Sequence, residues 1–160
     1  LVGHLMQERP YGDLVLDRVD VLKSGRASGP LFGGTLTQLV ASLGTAFPFK
    51  PPPGFVLLLD DVGERPYRID RMLTQLQQAG VLARASGVLC TEFLDCDEPG
   101  GIVTVRSVLA SILDEVDGPV LFGIPTGHTG YPMVTLPLGV EVTVSTASKA
   151  RVIVEEAAVI

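Results

Sequence analysis

Between residues 55 and 124 the chain alternates short apolar segments with helical stripes, and no other feature constrains the fold as much. Residues 55–59, 88–94 and 120–124 read as strands. Short apolar segments bounded by turn residues suit buried parallel strands, although periodicity alone leaves a buried helix open. Between them, Ile69, Met72, Leu73 and Leu76, then Val105, Val108, Leu109 and Ile112, fall at the i, i+3, i+4, i+7 spacing of one helix face. Pro66 suits the first turn of the earlier helix and Gly80 ends it, while Gly118-Pro119 follows the later one. Strand, helix, strand, helix, strand predicts an α/β fold with a small, mostly parallel core sheet and flanking helices.

The segments on either side extend that core. Leu36, Leu39, Val40 and Leu43 give a further helical stripe stopped by Gly44. That helix opens just after Gly33-Gly34-Thr35, which reads either as a tight turn capped by Thr35 or as backbone amides presented to an anion. Pro48 and the Pro51-Pro52-Pro53-Gly54 run form a stiff surface connector. Toward the amino end, residues 11–16 and 19–23 are expected as short strands and residues 24–30 as a turn or loop. In the tail, Val140, Val142 and Val144 alternate with Glu141, Thr143 and Ser145, and Val152 and Val154 follow a polar turn. This pattern predicts a carboxy-terminal antiparallel hairpin. At 160 residues the chain fits one domain with a core of its own.

Charge and cysteine content exclude several function classes. A net charge of −6 disfavours a nucleic-acid backbone as partner. Arg65, Arg68 and Arg71 sit at helical spacing beside Glu64 and Asp70, which reads as a solvated, paired helix face. Cys90 lies among apolar residues and reads as a buried thiol. Two cysteines without nearby histidines make a poor zinc site, so neither metal nor cofactor is expected. No segment reaches the length of a membrane span, and no signal pattern stands at the amino end. The chain opens on Leu1 rather than methionine, which leaves room for an upstream segment.

Side chains just past the carboxyl ends of strands line the ligand crevice of an open α/β sheet. Asp60 and Asp61 end one apolar run, and His128 follows another on the glycine-flanked loop Thr126-Gly127-His128-Thr129-Gly130. A carboxylate and a histidine so placed suggest a general base and its orienting acid. Strand alternation lets only one of the two aspartates face a shared crevice. Two adjacent carboxylates also suit a helix amino-terminal charge pair, and the other histidine, His4, stands near the chain start. No G-x-S-x-G elbow occurs, and Ser24, Ser28, Ser42 and Ser86 lie in turns or helices. Either the nucleophile lies upstream of Leu1 or the chain binds without catalysing.

From about residue 31 to its end, the chain resembles the carboxy-terminal part of the LD-carboxypeptidases, also called muramoyltetrapeptide carboxypeptidases. The segments that carry the likeness are GPLFGGTLTQL, LLLDDVGERPYRIDRMLTQLQQAGVL, Gly127-His128 and TLPLG. The resemblance implies a cytoplasmic, metal-independent serine peptidase of cell-wall recycling, often a homodimer. Its Ser-Glu-His triad would draw the serine from an amino-terminal domain outside this chain, so residues 1–160 would be the carboxy-terminal domain.

On that resemblance His128 matches the family histidine, and Asp60 stands where the family usually has glutamate. Thr35 stands where it usually has asparagine after the paired glycines. An aspartate arm is one methylene shorter, and displacing a catalytic group by about 1 Å can cost on the order of a hundredfold in rate. Gly34, Thr35, Glu64 and Tyr67 are the implied substrate-binding residues. The implied reaction removes terminal D-alanine from an L,D-linked muropeptide tetrapeptide, and the isolated chain is expected to be inactive. Two alternatives stand beside it: a microcin C immunity-type hydrolase of acylated nucleotides, which the lack of tryptophan disfavours, and a non-catalytic relative that docks on a partner.

Overall fold

The computed structural model describes residues 8–14, 16 and 18–159; His4 lies outside them. In chain order the elements are β1 (Gly12–Asp13), β2 (Asp20–Lys23), β3 (Arg26–Thr35), α1 (Leu36–Ser42), β4 (Phe55–Asp60) and α2 (Pro66–Gln78). A 3₁₀ turn (Leu82–Arg84) follows, then β5 (Ala85–Thr91), α3 (Val105–Leu113), β6 (Val120–Ile124), β7 (Glu141–Ser145) and β8 (Arg151–Val154). The eight strands form one mixed sheet in the order β1-β8-β7-β3-β4-β5-β6-β2. Strands β3 to β6 run parallel, β2 caps one edge antiparallel to β6, and the β7–β8 hairpin extends the other side antiparallel to β3.

Each of the three helices connects one parallel strand to its immediate neighbour, always stepping the same way across the sheet. Crossovers of one hand and one direction must leave their helices on one face. The side chains agree: Leu36, Ile69, Leu73, Leu109 and Leu113 from the helices share a core with Phe55, Leu57 and Leu59 of β4. Val56 and Leu58 point the other way and pack with Leu89, Leu121, Val142, Val144, Val152 and Val154, a cluster to which none of these helices contributes a buried residue. The period of two along β4 thus assigns Asp60, the next even position, to the helix-free face.

Local chemistry explains the helices. Pro66 occupies the start of α2, where its missing N–H costs nothing, and Ile69, Leu73 and Leu76 are its buried stripe. At the start of α3 the Thr104 hydroxyl accepts from Ser107 N while the Ser107 hydroxyl accepts from Thr104 N, a reciprocal capping box.

The strands depart from the sequence-based expectation in four places. Residues 26–30, expected in a turn or loop, form the first half of β3 and pair with β7. Ser28, Gly29 and Pro30 carry little strand propensity, so pairing rather than local preference makes this strand, aided by a 2.9 Å bond between the Ser28 and Thr143 hydroxyls. The Gly33-Gly34-Thr35 turn is instead the end of β3, pairing with residues 58–60. A Cβ on Gly33 would stand 1.9 Å from the Leu58 carbonyl oxygen, so glycine is there for close backbone approach. The third strand ends at Thr91 rather than at 94, because Phe93 adopts a left-handed φ of 50° that breaks the extended run. Of residues 11–16, only Gly12 and Asp13 are in a strand, with Val15 outside the described residues.

Candidate active site

Strands β3, β4, β5 and β6 all end at one edge of the sheet, and the candidate side chains gather there. Thr35 and Asp60 are register partners at the tips of β3 and β4. Thr91 ends β5, two residues past Leu89 and therefore on the same face as Asp60. Between β5 and β6 the register slips across Gly123, whose φ is 92°. Such a bulge bends the strand and re-aims the chain that follows it, here the loop carrying His128. The loop is then tied down by bonds from Val134 N to Pro125 O (2.7 Å) and from Gly130 N to the Glu92 carboxylate (2.9 Å).

Asp60 and His128, 68 positions apart in sequence, meet directly: Asp60 Oδ2 lies 2.7 Å from His128 Nδ1. Asp60 Oδ1 accepts from the Thr91 hydroxyl at 2.7 Å and from the His128 backbone N–H at 3.2 Å. Because an ionised carboxylate only accepts, Nδ1 carries the hydrogen, so the neutral form of the ring has its lone pair on Nε2. Asp60 is 6% exposed, whereas the His128 side chain is 48% exposed. The acid is therefore fixed inside the protein while the imidazole faces outward.

Gly127 makes that contact possible. Its φ of 67° is left-handed, and a Cβ there would stand 2.6 Å from Asp60 Cγ. Nothing larger than hydrogen fits between the loop backbone and the carboxylate.

The adjacent aspartate does different work. Asp61 is 3% exposed, and its Oδ2 accepts from Thr37 N (3.0 Å) and the Thr37 hydroxyl (2.8 Å) in the first turn of α1, while Oδ1 accepts from Val62 N (2.9 Å). The reading of a charge at a helix amino-terminus thus applies to Asp61 alone, and to the helix before β4 in sequence. Thr35 occupies the N-cap position of α1, as expected, but its side chain makes no capping bond. Asp61 satisfies the α1 amide from across the sheet edge.

The other candidates are more dispersed. Gly34 and Thr35 adjoin Asp60 through the β3–β4 pairing. Glu64 and Tyr67 sit at the approach to α2 and on its first turn, engaged with Arg68: its guanidinium meets the Glu64 carboxylate at 3.3 Å and donates to the Tyr67 hydroxyl at 3.1 Å. Tyr67 lines a separate cavity with Pro66, Asp70, Glu98, Val103 and Val108. Beside the histidine loop a cavity of about 360 Å³ is lined by Arg18, Glu92 and Tyr131, with the Arg18 guanidinium 4.5 Å above the Tyr131 ring. Burial pushes the Cys96 thiol up to about 11 and raises Cys90 further, so neither offers a thiolate at neutral pH. Among the described residues no group of three or more His, Cys, Asp or Glu side chains is placed to hold a metal, and no helix is long and apolar enough to cross a membrane.

Two contributors escaped sequence reasoning. Thr91 was hidden in an apolar segment, its only signal a polar residue at the end of a buried strand. Glu92, which holds the histidine loop, stands just past the end of β5 with no pattern in the sequence to single it out.

The chain is similar to known proteins over most of its length. The family model for the LD-carboxypeptidase C-terminal domain matches residues 28–144. A probable murein peptide carboxypeptidase of Bacillus subtilis is 36% identical over 134 residues, covering 82% of this chain and 41% of that protein. Among solved structures, a muramoyltetrapeptide carboxypeptidase from Oxalobacter formigenes superposes with a TM-score of 0.77 at 26% identity, over 98% of this chain and 54% of that one. The microcin C7 self-immunity protein MccF, in complex with aspartyl sulfamoyl adenosine, superposes with a TM-score of 0.74 at 27% identity, over 86% of this chain and 41% of that one. The chain spans about two fifths of the length of the curated relatives it matches.

Proposed function

The chain belongs to the LD-carboxypeptidase family, matching its C-terminal domain, and from that premise we propose that it supplies the histidine and the acid of a Ser-His-Asp triad. The whole enzyme removes terminal D-alanine from an L,D-linked muropeptide tetrapeptide. A serine from an amino-terminal domain attacks the scissile carbonyl carbon, and its proton passes to His128 Nε2. Asp60 holds the ring by Nδ1 and stabilises the imidazolium. When the tetrahedral intermediate collapses, the C–N bond breaks and Nε2 returns the proton to the departing D-alanine amine. Water, deprotonated by the same nitrogen, then releases the shortened peptide from the serine. Gly34, Thr35, Glu64 and Tyr67 shape the substrate cleft, and the enzyme works as a cytoplasmic homodimer in cell-wall recycling.

The observation that carries this reading is the 2.7 Å contact between a buried carboxylate and a half-exposed imidazole whose Nε2 is left to accept a proton. The test is D-alanine release from a tetrapeptide by the protein joined to its amino-terminal domain. Asp60→Asn should lower kcat by about 10⁴-fold and His128→Ala by at least as much, since the two act as a unit. The isolated chain should release none. Undiminished turnover in Asp60→Asn removes Asp60 from the triad.

The likeness to MccF bound to an aspartyl sulfamoyl nucleoside supports a second reading, hydrolysis of an acylated nucleotide by the same pair. Parallel assays with tetrapeptide and with an aspartyl sulfamoyl nucleoside separate them. The absence of tryptophan, the side chain with the largest face for stacking a base, favours the peptide.

A further inference from the structure

The Asp60 carboxylate sits in a socket with three walls. The Thr91 hydroxyl bonds Oδ1 from the side of β5 at 2.7 Å, the His128 ring and backbone N–H close the second side, and the Gly127 backbone lies against the third. A Cβ added at Gly127 would meet Cγ at 2.6 Å and both oxygens at 2.8 Å, so there is no slack on that wall. Thr91 is fully buried and its β-branched side chain is held stiffly on the strand.

A glutamate at position 60 would carry its carboxylate roughly one C–C bond, about 1.5 Å, further along the same path. That space is held by Thr91, Gly127 and His128. Gly127 cannot become smaller, and His128 must stay. Thr91 is therefore the wall that sets the length of the acid.

We propose that Thr91 is the positioning residue of the acid site: its hydroxyl fixes the Asp60 carboxylate for His128, and its bulk restricts the socket to aspartate. The chain has thus rebuilt around a shorter acid where the family resemblance leads one to expect glutamate. This rests on the triad reading for its catalytic meaning, but its geometry is testable without turnover.

The test uses the 160-residue chain, with thermal midpoint and the NMR signal of the His128 Nδ1 proton, assigned against His128→Gln, as readouts. Asp60→Glu should lower the midpoint by roughly 5 °C or more and abolish the Nδ1 signal. Asp60→Glu with Thr91→Ala should recover more than half of that loss and restore the signal, even though Thr91→Ala alone is less stable than the parent. If Asp60→Glu does not fold, recovery of folding in the double variant carries the same meaning. A double variant no better than Asp60→Glu, or an Asp60→Glu indistinguishable from the parent, overturns the proposal. The hydroxyl is tested separately: Thr91→Ser should keep the Nδ1 signal and Thr91→Val should broaden or lose it, whereas equal behaviour of the two refutes the positioning role. None of these readouts requires hydrolysis. Failure of the full protein to release D-alanine would sink the peptidase reading and leave this result standing.

Discussion

At residue 127 a hydrogen in place of a side chain lets the histidine loop close onto Asp60. Gly127→Ala combines a left-handed φ with a methyl 2.6 Å from the carboxylate, a strain of about 1–3 kcal/mol. The loop should yield before β4 does, because Asp60 ends a strand buried along its length. In the full protein, turnover should then fall on the order of a hundredfold, the usual consequence of about 1 Å of displacement, while urea denaturation shifts only modestly. The buried thiols make a separate prediction about pH. Burial raises Cys96 from 9.0 to about 11, so between those values the folded chain holds a proton that the unfolded chain has lost. Stability is complete below pH 9 and falls as the pH rises through that window. Urea midpoints at pH 8 and 10.5 should diverge less in Cys96→Ala than in the parent, and equal divergence would acquit this thiol. The meeting of Asp60 and His128 was legible in the sequence because Asp60 ends one apolar run and His128 stands on the glycine-flanked loop after another. Thr91 was not, since its importance comes from a neighbouring strand rather than from its own surroundings in sequence.

Among the elements, α1 depends most on a partner. Seven residues are too few to hold a helix by their own hydrogen bonds, and its amino end is satisfied by Asp61 from the tip of β4. Asp61→Ala would leave the Thr37 N–H and hydroxyl short of an acceptor and should destabilise the chain by about 2–3 kcal/mol, read as a lower urea midpoint. Thr35→Ala should cost far less, because Thr35 makes no capping bond. If the two losses are equal, the cap is shared. The helices and the central strands were readable because their periodicities are their own. The first half of β3 was not: Ser28, Gly29 and Pro30 become a strand only when β7 arrives from more than a hundred residues away. Such pairing leaves no local trace, so a glycine- and proline-containing segment reads as a loop.

Across the whole molecule, the central strands β4, β5 and β6 each place side chains in both cores and so join them, β4 most extensively. Phe55, Leu57 and Leu59 belong to the helix-side cluster, while Val56 and Leu58 belong to the cluster built with the β7–β8 hairpin. A strand with side chains in both cores cannot lose one and keep the other, so the sheet should unfold as a single unit. Leu57→Ala tests this from one side. It removes a fully buried side chain from the helix-facing core and should cost about 2–5 kcal/mol. Although Leu57 points away from the hairpin, hydrogen exchange in β7 and β8 should accelerate by the same factor as in α2, because both open only through global unfolding. Faster exchange confined to α2, with the hairpin unchanged, would show that the antiparallel wing folds as a unit of its own.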